Sequence, residues 1–159
     1  MEFQKAIFAA GCFWGVEANF RKVDGVKSTR VGYIGGEFSH PTYKDVCSHK
    51  TGHAEAIEIE FDPTKVTYND LLDIFWDTHD PTTLNRQGPD VGTQYRSAIF
   101  FLNSRQKELA MKSKVKQEES KRFDKAIVTQ IVPASDFWEA EEYHQKYIEK
   151  KQKRVLPNF

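Results

Sequence analysis

Cysteine is scarce in this sequence: Cys12 and Cys47 are the only two in 159 residues. That excludes a disulfide-stapled scaffold, so an ordinary core must hold the chain together. An excess of charge is also missing. Lysine and arginine number 23 and aspartate and glutamate 23, so no global basic field draws in nucleic acid or an anionic membrane. No apolar run approaches the roughly 18 residues of a membrane-spanning helix. The opening stretch MEFQKAIFAAG has no basic region ahead of its apolar run, and Glu2 and Lys5 interrupt it. It reads as a strand, not a signal peptide, and a cytoplasmic location is expected. Walker-type and dinucleotide-type phosphate cradles are absent. Without repeats or linkers, the length suits one domain over residues 1–159.

Aromatic residues, by contrast, are plentiful at 13%, enough to fill a core and still line a pocket. Residues 4–10 read as a buried strand. Phe13, Val16, Phe20 and Val23 then recur at helical spacing, and Asp24-Gly25 marks a turn. A second strand is predicted over 26–34. HAEAIEIEFD alternates cleanly as a third. Thr67 and Asp70 form a capping box for a helix carrying Tyr68, Leu71, Leu72 and Phe75. RSAIFFL at 96–102 is the next strand, and 104–120 a polar surface helix. AIVTQIV at 126–132 is a further strand. Asp136 and Glu139 read as the cap of a last helix carrying Phe137, Tyr143 and Tyr147.

The first six elements run β-α-β-β-α-β, which predicts a ferredoxin-like split βαβ core in an α+β fold. Right-handed crossovers make the first two strands parallel, with the third antiparallel between them. The end of strand one, the connection from strand two to three and the start of strand four then meet at one edge. Two long connections, 35–52 and 81–95, converge there. Structureless loops of that length are functional or disordered. Their aromatics, amides and turn residues indicate ordered site walls.

Cys12 sits at this edge, at the start of the first helix. Unpaired backbone N–H groups and the helix dipole there favour a thiolate. Position alone leaves a packed corner and a reactive site equally open. Glu55 shares parity with Ile57, Ile59 and Phe61, which puts one carboxylate on the apolar side of its strand. Desolvation there would keep it protonated as a general acid; a solvated, frayed strand start is the alternative. Tyr43, Tyr95 and Asp90 lie in the long loops, where the phenols can donate to a polar ligand oxygen. Cys47, His49 and His53 spell C-x-H-x3-H, with His40 a conceivable fourth ligand. Paired Cys-x-x-Cys spacing is lacking, and no metal site is expected. His144 and its acidic neighbours in EAEEYHQ read as an ordinary helix face.

These residues fall in blocks that strongly resemble the A-type peptide methionine sulfoxide reductases: GCFWG at 11–15, TYKDVCS at 42–48, GHAEAI at 52–57, DPTTLNRQGPDVGTQYRS at 80–97 and AEEYHQ at 140–145. The resemblance covers nearly the whole chain. It implies a two-layer α/β sandwich around the split βαβ core, with extra C-terminal helices and a strand. It also implies thiol-dependent reduction of the S-epimer of methionine sulfoxide, free or protein-bound, through a Cys12 sulfenic acid. By the same resemblance Phe13 and Trp14 hold the S-methyl group. Glu55 protonates the sulfoxide oxygen, Tyr43 and Tyr95 help to hold it, and Asp90 supports the polar side. No prosthetic group is implied, only an external thiol such as thioredoxin, glutaredoxin with glutathione, or dithiothreitol. A monomer repairing oxidised proteins under oxidative stress is expected.

The sequence departs from many relatives in its final stretch, KKQKRVLPNF, which lacks the resolving cysteines of their glycine-rich tails. Cys12 sulfenic acid is therefore expected to be reduced directly by an external thiol. A Cys12–Cys47 disulfide is the second route. His49 stands where relatives often have glycine. Two other classes compete: a cysteine-dependent hydrolase using His53 or His79 as base, and a non-enzymatic module that binds exposed methionine or aromatic side chains.

Overall fold

The computed structural model describes residues 2–155, with side chains through residue 152; the end of the KKQKRVLPNF stretch lies outside the described residues. Strand β1 (Gln4–Ala10) is buried over its last five residues. Ala6, Phe8 and Ala10 pack on one side and Ile7 and Ala9 on the other. A strand covered on both faces reads as a continuous apolar run, and β1 accordingly lies in the middle of the sheet. Helix α1 (Phe13–Arg21) follows, then β2 (Val26–Ile34), α2 (Tyr43–Cys47) and β3 (Ala54–Phe61). Next come α3 (Tyr68–Asp77), the two-residue strands β4 (Arg86–Gln87) and β5 (Asp90–Val91), and β6 (Ser97–Phe101). Helix α4 (Ser104–Glu119), β7 (Gln130–Pro133), β8 (Trp138–Glu139) and α5 (Tyr147–Val155) complete the described chain.

The main sheet has the order β7-β6-β1-β3-β2-β8. β3 runs antiparallel to both β1 and β2, so β1 and β2 are parallel with β3 between them, as the element order predicted. β6 pairs antiparallel with β1, and β7 parallel with β6. The larger core lies on one face, where Phe13, Val16 and Phe20 of α1 and Leu71, Leu72, Phe75 and Trp76 of α3 meet Phe8, Ile57 and Ile59. The reverse face carries a smaller cluster of Ile7, Ile34 and Phe100, covered by Val132, Ala134 and Phe137. Thr67 and Asp70 form the expected capping box. Among the described residues no helix is long and apolar enough to cross a membrane.

Four local expectations change. The strand expected over 126–132 exists only as β7, because its pairing with β6 begins at Ala98↔Gln130. Upstream residues have no strand beside them, so Val128 N–H donates to the Pro81 carbonyl at 2.8 Å instead. The helix expected from Asp136 is replaced by β8, a 3-10 turn over Glu142–His144, and α5. The reason is the open edge of β2, whose backbone groups need partners. β8 pairs there with Gly32 and Tyr33, and a Cβ at Gly32 would lie 2.4 Å from the Trp138 carbonyl oxygen. The connection 35–52 contains α2, capped by Thr42 and Asp45 in the same Thr-x-x-Asp pattern as α3. The connection 81–95 is ordered as the β4–β5 hairpin and a 3-10 turn over Thr93–Tyr95.

The side chain of Gln145 extends the β2 edge. Its amide accepts from Val31 N–H at 2.8 Å and donates to the Val31 and Ala140 carbonyls, both at 2.9 Å. Gln145→Leu keeps the volume but strands three buried backbone groups. Its expected cost is about 2–4 kcal/mol, measured by urea unfolding; a change within error would remove Gln145 from the edge.

Candidate active site

Gly11 turns the chain out of β1 at φ +99, and a Cβ there would lie 2.8 Å from the Gln87 side chain. A left-handed turn pressed against the β4–β5 hairpin admits only glycine. Gly15 differs: a Cβ there meets nothing within 4 Å. Between them Cys12 is the N-cap residue of α1, makes no side-chain capping bond and is half-buried.

Glu55, near the start of β3, is 1% exposed, so the frayed, solvated alternative is excluded. Its Oε1 accepts the Phe13 N–H at 3.2 Å, which holds the carboxyl beside the Cys12 corner. Its Oε2 is buried without a hydrogen-bond partner among the described residues. Burial pushes this carboxyl up to about 8; the Phe13 N–H works against the rise and the Asp90 charge adds to it. Glu55 is therefore a neutral acid at pH 7 with a free oxygen.

Cys12 corrects the thiolate expectation. Burial pushes its thiol up to about 11; the Trp14 and Gly15 N–H groups pull it down, and Glu55 and Asp90 push it up. The helix start helps, as position suggested, but desolvation outweighs it. The resting site holds a thiol next to a carboxylic acid.

Two phenols complete the polar side. Burial first, then the Glu55, Cys47 and Asp90 charges, pushes Tyr95 up to about 12. Tyr43 is raised by burial and by the Cys47 thiol one helical turn away. Both are proton-bearing donors near neutral pH. Phe13 is 1% exposed, its ring 5.7 Å from Tyr33 and 5.1 Å from His144. Trp14 is half-buried and stacks on Tyr147 at 3.9 Å. Phe13 is thus the floor of an apolar wall and Trp14 its accessible side.

The block AEEYHQ is not an ordinary helix face. His144 is 0% exposed, and its Nδ1 accepts the Trp14 Nε1–H at 2.8 Å. Glu141 accepts from the Tyr33 hydroxyl and the Tyr43 N–H, each at 2.9 Å. Buried Glu17 takes the Lys146 N–H at 2.6 Å and the Thr29 hydroxyl at 2.7 Å. His144 and Glu141 hold Trp14 and Tyr43 from behind. Sequence reasoning missed this because the segment folds against α1 and α2 only in three dimensions; its recurrence as a motif block was the one available signal.

His53, His79 and His49 have structural roles. His53 accepts from Gly36 N–H at 3.0 Å, and its Nε2 lies 2.6 Å from the Phe38 carbonyl. His79 donates to the Phe75 carbonyl at 2.7 Å and meets the Ser97 hydroxyl at 2.8 Å; burial lowers it to about 4. Both rings use both nitrogens elsewhere, and among the described residues no histidine hydrogen-bonds Cys12. The hydrolase reading, which needs a histidine base on Cys12, therefore has no support among the described residues. His49 sits at φ +64, the left-handed position that follows a helix and favours glycine. Its Nδ1 lies 2.8 Å from Gln94 Oε1, which ties the α2 loop to the 93–95 turn. Among the described residues no three histidine, cysteine or acidic side chains gather around a metal-sized space.

A family model described as peptide methionine sulfoxide reductase matches residues 4–157. The peptide methionine sulfoxide reductase MsrA of Methanothermobacter thermautotrophicus is 62% identical over 152 residues, 96% of this chain and 90% of its own. MsrA 1 of Nostoc sp. is 61% identical, covering 95% of this chain and 93% of its own. Reduced Mxr1 of Saccharomyces cerevisiae has a TM-score of 0.89 at 38% identity, over 96% of this chain and 87% of its own. Mxr1 has also been solved in complex with Trx2, with a TM-score of 0.64 at 26% identity, over 92% of this chain and 85% of that one. With a matching model over nearly its whole length, relatives 61% and 62% identical and a common fold, the chain belongs to the peptide methionine sulfoxide reductase family, as an MsrA-type member.

Proposed function

We propose that this protein reduces the S-epimer of methionine sulfoxide, free or in proteins, to methionine, with Cys12 as the nucleophile. The observation that carries this reading is the Glu55 carboxyl: buried, neutral at pH 7, with one oxygen unpartnered beside the cysteine corner. A sulfoxide oxygen is a poor leaving group until it is protonated, and a neutral carboxylic acid supplies that proton. Tyr43 and Tyr95 hold the same oxygen by hydrogen bonds, with Asp90 behind them. The S-methyl group rests on Phe13 and Trp14. With methyl and oxygen both placed, only one hand at sulfur leaves the rest of the residue pointing out to solvent.

The step balances without a metal or prosthetic group. Cys12 sulfur bonds to the substrate sulfur, and Glu55 gives its proton to the oxygen. The thiol proton passes to Glu55. The substrate S–O bond and the new bond between the two sulfurs then break as the oxygen bonds to Cys12 sulfur, releasing methionine and leaving a sulfenic acid. The enzyme is oxidised by two electrons and the substrate reduced by two. An external thiol then restores Cys12: thioredoxin, glutaredoxin with glutathione, or dithiothreitol. The Mxr1–Trx2 complex supports a redoxin in this place. We place the reaction in a cytoplasmic, monomeric, one-domain enzyme that repairs oxidised proteins under oxidative stress.

A Cys12–Cys47 disulfide is the second route. The Tyr95 phenol lies within electrostatic reach of both thiols. The test is to react the reduced enzyme with excess methionine-S-sulfoxide, without reductant, then titrate thiols and trap sulfenic acid. Direct recycling predicts a trapped sulfenate and one remaining thiol, Cys47. Loss of both thiols with no sulfenate would establish the disulfide route instead. Persistence of both thiols would overturn the reductase reading itself.

A further inference from the structure

A cleft of about 570 Å³ opens on the reverse face of the sheet, where Gly35, Asn85, Thr93, Gln130 and Ser135 surround the guanidinium of Arg96. Arg96 begins the approach to β6. It shares the parity of Ala98 and Phe100, which face the smaller core, and so points away from the α1 side where Cys12 lies. Among the described residues Arg96 is the only charged one lining the cleft, and none of the lining residues is acidic.

Its electrostatic setting differs from that of four other arginines in the chain. Arg21, Arg30, Arg105 and Arg122 each pair with a carboxylate. Exposed Arg86 pairs with none, and neither, among the described residues, does the half-buried Arg96. Its partners are neutral: Nε donates to Gln130 Oε1 at 3.1 Å and Nη1 to the Thr93 carbonyl at 2.9 Å. Nη2 has no acceptor among the described residues. It lies 2.8 Å from where a Cβ at Gly35 would stand, so only glycine lets the guanidinium settle there. Burial alone lowers the Arg96 pKa, with no acidic group opposing it. A partly desolvated cation without a counter-charge is costly, and a guanidinium fork matches the two oxygens of a carboxylate or phosphate.

We propose that this cleft is an oxyanion-binding site, in which Arg96 receives a carboxylate or phosphate group between Gln130 and Ser135. The site backs onto the catalytic wall. Arg96 holds the Thr93 carbonyl, and the Asn85 carbonyl accepts the Gly92 N–H at 2.9 Å; Asp90 and Tyr95 sit on the same segment. An anion bound at Arg96 therefore rests against the support of the polar side of the active site.

The experiment is thermal unfolding of the full chain against increasing inorganic phosphate, acetate or chloride, at fixed pH and ionic strength. The expected result is a saturable rise in Tm with phosphate or acetate and none with chloride. Whichever oxyanion gives the tighter saturation identifies the chemistry received. General salting effects of phosphate rise without saturating. Gln130→Glu is near-isosteric at an exposed position and puts a carboxylate on the guanidinium. It should raise Tm in buffer without phosphate or acetate and weaken the apparent oxyanion affinity about tenfold or more. Ser135→Glu, on the other wall, should act in the same direction. A shift that never saturates, no shift at all, or an equal shift in wild type and both variants would overturn the site.

Discussion

Cys12→Ser is expected to remove methionine sulfoxide turnover, by about 10⁴-fold or more, while leaving the protein as stable as before or slightly more so. Serine keeps the shape of cysteine but is a poor nucleophile without a base, and no histidine hydrogen-bonds this position among the described residues. Nor can a hydroxyl form a sulfenic acid. Stability should move the other way. Cys12 is an N-cap residue that makes no capping bond, whereas serine at an N-cap accepts from the first helical turn and contributes about 0.5–2 kcal/mol. Methionine release with dithiothreitol as reductant, together with urea unfolding of the same preparation, separates lost chemistry from lost fold. Retained turnover in a folded Cys12→Ser protein would falsify the central claim.

Glu55→Gln is the second large effect, about 10²–10⁴-fold on the sulfoxide step, and its pH dependence identifies the role. Burial places the Glu55 carboxyl at about 8. Below that pH it carries the proton that the sulfoxide oxygen needs. As pH rises through about 8 the proton leaves, and the new charge also opposes ionisation of Cys12. The wild-type single-turnover rate should therefore fall as pH rises through this range. Glutamine keeps a hydrogen-bond donor but cannot transfer a proton, so the variant should be slow and should lose this limb. A limb that survives unchanged in Glu55→Gln would assign it to another group.

The same shift is a statement about stability. The folded-state value is raised, from 4.5 to about 8. The Glu55 contribution is therefore fully present below 4.5 and is lost progressively as pH rises through about 8. Glutamine does not titrate, so the stability of Glu55→Gln relative to wild type should increase across this window, by on the order of 5 kcal/mol. The neutral acid that serves the reaction at pH 7 is thus a group that the fold holds at a cost, as functional sites commonly do.

The core of this arrangement is readable in the chain. Strand β1 shows as an apolar run, β3 as clean alternation, and α3 as a capping box followed by a 3.6-residue period. Those three signals carry the β-α-β-β-α-β order, and right-handed crossovers then bring Cys12, Glu55 and the two long connections to one edge. Parity along β3 alone separates Glu55 from Glu58 and Glu60. The C-terminal third is less legible. β8, the 3-10 turn and α5 depend on the unfilled edge of β2 and on the exposed flank of Trp14, neither of which local sequence describes.

By itself, then, the sequence determined which groups meet: a thiol at a helix start, an apolar-side glutamate, two loop tyrosines and an aromatic pair. Periodicity and chain connectivity are local rules, and they suffice for that. Only the tertiary structure decided the protonation state in which the groups meet. Desolvation by surrounding side chains keeps Cys12 a thiol and Glu55 an acid, against the pull of a helix N-terminus that the sequence does reveal. It also decided what holds them: His144 on Trp14 and Glu141 under Tyr43. Burial and long-range pairing are properties of the packed molecule, and no stretch of the chain carries them alone.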